Sequence, residues 1–106
     1  MKIIIISMVA VAGLTLSGLT LASDIPAFAK KKCGTCHSVD KKGIGPSYRA
    51  IAEKYNGDSD AVGKVAANTT KGGALGWNMG KMPPKGIGAK EDEINAMADF
   101  IMSLSK

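Results

Sequence analysis

The chain has 106 residues, with 14 basic against nine acidic side chains and a formal net charge of +5. That length suits one domain and argues against a large enzyme. So small a domain buries little core and needs a staple, yet a disulfide between Cys33 and Cys36 would close a trivial loop, so the staple must be something else.

Lys2, an apolar run from Ile3 to Leu16, then Ser17, Gly18 and Thr20-Leu21-Ala22 follow the order of a secretory signal peptide. This assigns 1–22 to a leader cleaved after Ala22 or Ser23, and 23–106 to the domain. The competing reading is an uncleaved membrane anchor, since Ile3 to Ala22 approaches the roughly 20 apolar residues that span a bilayer. Ser7, Thr15, Ser17, Gly18 and Thr20 dilute that run, and no basic cluster follows until Lys30, which favours cleavage. Ala27-Phe28-Ala29 is an equally good small-x-small exit, but a cut there would remove a helix before Cys33. The domain left by the preferred cut keeps a charge of +4, because Lys2 is the one charged residue lost.

The domain shows no repeat, no low-complexity tract and no strand-like alternation, so it reads as all-α with Gly-rich and Pro-rich loops. Asp24 is placed to cap a first helix, with Pro26 in its opening turn and Ile25, Phe28 and Ala29 on one apolar stripe. After the loop Lys41-Lys42-Gly43-Ile44-Gly45-Pro46, the spacing of Tyr48, Ile51, Ala52 and Tyr55 predicts a second helix, with Arg49 and Glu53 facing away. Ser59 or Asp60 caps a third, in which Val62, Val65, Ala66 and Thr69 share a face before Lys71-Gly72-Gly73 ends it. From Gly72 to Gly88, six glycines and two prolines surround Trp77, Met79 and Met82, and a loop this long in a small domain is usually functional. The last helix begins near Glu91-Asp92-Glu93, whose charges suit a helix N-terminus although Lys90 is a poor cap. Its apolar stripe is Ile94, Met97, Ala98, Ile101 and Leu104, with Phe100 at the border, and it is long enough to pack on the first helix.

Cys33-Gly34-Thr35-Cys36-His37 carries the chemistry. Two thiols two residues apart and followed at once by histidine can add across the two vinyl groups of a haem while the imidazole rises to its iron. A structural zinc site needs four Cys or His ligands and the chain owns three. A thiol-disulfide active site is the stronger alternative, but such motifs open a helix beside a β-sheet, and no strand pattern is present. His37 is the single histidine, so a sixth iron ligand must be of another type or absent. Met97 and Met102 belong to the last helix and read as core filling. Met82 precedes Pro83-Pro84, which stiffen its loop, whereas Met79 lies between Asn78 and Gly80 without such restraint, so Met82 is favoured over Met79. A neutral thioether opposite imidazole favours ferrous iron and raises the potential. An open sixth site would instead suit a gas-binding or peroxidase-like protein.

With the Cys33–His37 motif, Gly45-Pro46, Trp77 and Met82-Pro83-Pro84, the domain resembles the short bacterial monohaem class I cytochromes c. The resemblance covers essentially the whole region 23–106. It implies about four helices wrapped around one covalently bound haem c, thioethers at Cys33 and Cys36, and iron ligands His37 and Met82. It further implies that the Pro46 carbonyl accepts a hydrogen bond from the His37 ring and that the Trp77 indole reaches a haem propionate. The implied role is that of a monomeric periplasmic electron carrier, not an enzyme, feeding a terminal reductase or oxidase. Two departures, Lys32 just before Cys33 and Lys90 at the last helix, bear on how closely the first and last helices cross. Lys30, Lys31, Lys32, Lys41, Lys42, Lys71, Lys81 and Lys85 flank the two haem-ligand segments and suit redox partners with acidic surfaces. Nucleic acid is a poor partner for an exported chain without base-stacking aromatics, and a membrane enters only if the leader is retained.

Overall fold

The computed structural model describes residues 25–105, so the expected leader and the expected Asp24 cap lie outside the described residues. Among the described residues four helices follow one another: α1 (Ala29–Lys32), α2 (Tyr48–Lys54), α3 (Ala61–Lys71) and α4 (Glu91–Ser103). Among the described residues the one β pairing is an isolated antiparallel bridge between Gly73 and Met82, so the class is all-α. No helix of the described residues is long and apolar enough to cross a membrane.

The first helix is shorter than its stripe predicted. It starts at Ala29, whose N–H donates to the Pro26 carbonyl at 2.9 Å, with Phe28 at the cap position. It closes after one turn because the Cys33 and Gly34 N–H groups both donate to the Ala29 carbonyl, at 2.8 and 2.6 Å. Gly34 is required there, since a Cβ would sit 2.8 Å from the Lys30 carbonyl oxygen. Ile25 and Phe28 still pack on the core, from a turn instead of a helix, and Ala29 is wholly buried.

The second helix owes its start to a signal the periodicity missed: the Ser47 hydroxyl accepts the Ala50 N–H at 3.1 Å. Such a cap contributes about 1 kcal/mol. Tyr48 and Ala52 are buried, and Arg49 turns away as expected, pairing with Asp40 and donating to the Leu104 carbonyl at 3.3 Å. At the third helix, Asp60 holds the cap position without a side-chain bond; Asp58 instead accepts the Asp60 N–H and pairs with Lys64. Its buried stripe is Ala61 and Val65, while Val62, expected inside, is 37% exposed. The expected face held four residues, but α3 needs only a narrow apolar line because its neighbouring Asn68 and Thr69 face a cleft.

Ile94, Met97, Ala98, Ile101 and Leu104 form the buried face of α4, and Phe100, expected at the border, is buried as well. Each of the larger side chains contributes about 1.5–3 kcal/mol by leaving water, and the Ala98 methyl less. Phe100 meets the Tyr48 ring edge-on, centroids 6.1 Å apart. The partners of α4 are chiefly α3 and α2. The expected packing on α1 reduces to Ala29 and one ion pair, because α1 is a single turn. In that pair the Lys32 ammonium meets the Glu93 carboxylate at 2.5 Å, and the side chains are 25% and 17% exposed. Glu93 also accepts the Lys90 N–H at 2.9 Å, so it caps α4 where Lys90 itself is a poor cap. The two departures from the family pattern thus answer one another.

Lys32, and then the Lys90 N–H, hold the Glu93 carboxyl below its usual range. A depressed native pKa contributes stability above the unfolded value that is lost as pH falls through the native one. Urea unfolding of wild type and Glu93→Gln is expected to differ most at neutral pH, with the gap closing as pH drops below about 4.5. A gap independent of pH would contradict this.

Candidate functional site

The segment after α1 turns tightly: the Cys36 and His37 N–H groups donate to the Cys33 carbonyl at 3.2 and 3.1 Å. That turn brings Cys33, Cys36 and His37 to one wall of a largely apolar cleft. Ile51 of α2 and Tyr55 at its C-cap, Val65, Asn68 and Thr69 of α3, and Met97 and Ile101 of α4 supply more of the lining. The Gly72–Gly88 loop supplies Trp77, Met79 and Met82. The cleft therefore gathers residues from Cys33 through Ile101.

His37 is fixed from three sides. Its Nδ1 donates to the Pro46 carbonyl at 2.7 Å, which leaves Nε2 as the lone-pair nitrogen. The Tyr48 ring stacks on the imidazole, centroids 5.5 Å apart and planes at 26°. Gly45 lies against the ring so closely that a Cβ would fall 2.5 Å from Cε1. Gly45, Pro46 and Tyr48 thus act as one clamp, of which the family resemblance, not the residues alone, implied the Pro46 contact, and neither implied the Tyr48 stack.

Cys33 and Cys36 are unbridged and half-buried. Burial pushes the Cys33 thiol above its usual range, Glu93 and Cys36 add to this, and Lys32 opposes it. Thiols that exchange with disulfides have depressed pKa values, and the burial of Cys33 works in the opposite direction.

The loop carrying Met82 is pinned by the bridge to Gly73, with paired backbone bonds of 2.8 and 2.9 Å. Gly72 permits this approach, since a Cβ there would lie 2.6 Å from the Met82 carbonyl oxygen. Further on, the Lys85 N–H donates to Thr69 and the Ile87 N–H to Lys32, tying the loop to the ends of α3 and α1. Met79 lines the same cleft from the span between these ties. Trp77 is half-buried on the lining. Asn68 Nδ2 donates to the Tyr55 hydroxyl at 2.8 Å, joining α3 to α2 across the cleft. No local sequence signal marks that bond, because its partners are 13 residues apart on different helices.

Helices, tight cysteine turn and pinned methionine loop together define a small all-helical protein folded around a covalently held prosthetic group. The cytochrome c family profile matches residues 24–105, and the chain belongs to that family. It is 33% identical over 103 residues to cytochrome c-552 of Hydrogenobacter thermophilus, covering 97% of each chain. It is 35% identical over 105 residues to cytochrome c-551 of Stutzerimonas stutzeri, covering 98% of this chain and 99% of the relative. The crystal structure of wild-type Nitrosomonas europaea cytochrome c552 is similar with a TM-score of 0.66 and 35% identity, over 73% of this chain and 95% of that one. The chain is thus a haem-based electron carrier and not an enzyme, and its cofactor is one covalent c-type haem.

The residues of the cleft fit that group. Among the described residues the imidazole keeps one nitrogen unpaired, the two thiols are unbridged, and the Tyr48 hydroxyl is a buried donor without a partner. Burial, with Cys33 and Cys36 nearby, raises the Tyr48 pKa and keeps that hydroxyl protonated.

Gly45→Ala is expected to displace the imidazole and cost about 1–3 kcal/mol of holoprotein stability, read from urea unfolding. Unchanged stability would show that the ring has room to move.

Proposed function

We propose that the domain 23–106 is a periplasmic single-electron carrier, delivered by the leader 1–22, that shuttles electrons between respiratory complexes and a terminal reductase or oxidase. Cys33 and Cys36 form the thioethers, His37 and Met82 are the axial iron ligands, Pro46 orients His37, and the Trp77 indole N–H meets a haem propionate. The observation that carries this reading is the single cleft onto which Cys33, Cys36, His37 and Met82 converge from segments 45 residues apart.

The haem supplies an iron that takes up and gives back one electron. The work of the chain is to change little while that happens. His37 cannot turn, because Pro46 holds Nδ1 and Tyr48 covers the ring face. Met82 sits between two backbone bonds to Gly73 and the stiff Pro83-Pro84 pair, which supports Met82 over Met79. The mostly apolar lining would give a bound haem a low-dielectric setting, which disfavours the higher charge of ferric iron and raises the potential.

The basic rim is narrower than the lysine count suggests. Lys32 faces Glu93 and drops out, while Lys30, Lys31, Lys41, Lys42, Lys71, Lys81 and Lys85 are exposed. These seven suit redox partners with acidic docking surfaces, met by a monomeric carrier.

Reduced wild-type holoprotein is expected to bind no carbon monoxide at neutral pH, whereas Met82→Ala binds it rapidly and has a lower potential. Rapid binding by the wild type would overturn the closed sixth site and favour a gas-binding protein.

A further inference from the structure

Lys54 is the one lysine of α2 and lies outside the cleft lining, yet its ammonium is engaged. Nζ sits 4.5 Å above the centroid of the Trp77 ring and donates to the Leu75 carbonyl at 3.2 Å. The turn it grips is tight: the Trp77 N–H donates to the Ala74 carbonyl at 2.9 Å. Leu75 and Gly76 both have positive φ, 54° and 79°. A Cβ on Gly76 would lie 2.8 Å from Nζ, so the absence of a side chain there is what lets the ammonium in. Leucine adopts that backbone region only at a cost, which something nearby must offset.

From this geometry we infer that Lys54 is a positioning residue for Trp77, a latch that reaches from α2 to the Trp77 turn and sets the plane of the indole. The latch joins two walls of one cleft, since α2 also places Ile51 and Tyr55 on the lining and the turn places Leu75 and Trp77 there. An ammonium over one face of an indole is attracted by the ring quadrupole and blocks rotation toward that side. The hydrogen bond to Leu75 fixes the ammonium in turn, so the ring has a reference point in the backbone. The indole N–H is donor-only, so its direction decides what it can hold. This inference deepens the proposed function and rests on its assignment of Trp77 to a haem propionate. On that assignment, Lys54 also brings a positive charge beside the carboxylate that Trp77 holds.

The test is hydrogen exchange of the Trp77 indole N–H, followed by NMR in reduced holoprotein for wild type, Lys54→Met and Lys54→Arg. Lys54→Met keeps a long apolar stem on an exposed helix position and removes the charge and the donor. The expected result is slow exchange in the wild type, an increase of about tenfold in Lys54→Met, and near-wild-type exchange in Lys54→Arg. The backbone amide of Ile51 in α2 serves as the control and should not change. A protected indole whose exchange is the same in Lys54→Met overturns the inference and leaves the propionate assignment standing. A wild-type indole that exchanges as fast as free indole overturns the propionate assignment instead. The latch is then judged by nuclear Overhauser contacts between the Lys54 methylenes and the Trp77 ring: their presence upholds it, their absence overturns it.

Discussion

One hydrogen bond organises this protein: the His37 Nδ1–H to the Pro46 carbonyl, 2.7 Å long. It selects the tautomer, leaves Nε2 as the nitrogen able to bind a metal, and ties the cysteine turn to the segment that begins α2. Gly45 and Tyr48 on either side of Pro46 complete the hold, one by having no side chain and the other by offering a flat face. Because Tyr48 also meets Phe100 edge-on, the imidazole is coupled through one ring to the core face of α4. As the proposed iron ligand, an imidazole held this way would reorganise little when the charge on the metal changes, which is what a carrier requires.

The opposite demand falls on the Gly72–Gly88 loop, which must deliver a side chain to the cleft without the support of a helix. Its solution is a series of backbone ties. The Gly73–Met82 bridge, the Thr69 carbonyl and the Lys32 carbonyl fix three points along it, and Lys54 grips a fourth. Glycine appears where these ties bring backbones together, as at Gly72. Lys32 serves twice, by its carbonyl toward the loop and by its ammonium toward Glu93, so α1, α4 and the loop meet at one residue.

The residues of the proposed site were legible in the sequence because they are local: five consecutive residues carry the proposed attachment, and a methionine before two prolines marks the proposed second segment. Periodicity likewise located α2, α3 and α4, since each buries one face against a common core. What it misplaced were features decided by tertiary contact. The stripe Ile25, Phe28 and Ala29 is real, but two of its members reach the core from a turn, because the cysteine turn needs the chain to close after four helical residues. Val62 fits the period of α3 and is nonetheless exposed, as the helix borders a cleft instead of a full core. The contacts Lys32–Glu93, Asn68–Tyr55 and Lys54–Trp77 span 61, 13 and 23 positions, beyond the reach of any local pattern.

The central claim is that His37 and Met82 grip the haem iron from elements that hold each of them still. Proton NMR of the reduced holoprotein tests it most directly, because the ring current of a haem shifts the methyl of a bound methionine far upfield. The account predicts one such methyl, assigned to Met82, together with a slowly exchanging His37 Nδ1–H. No upfield methionine methyl, or one assigned to Met79, would contradict it.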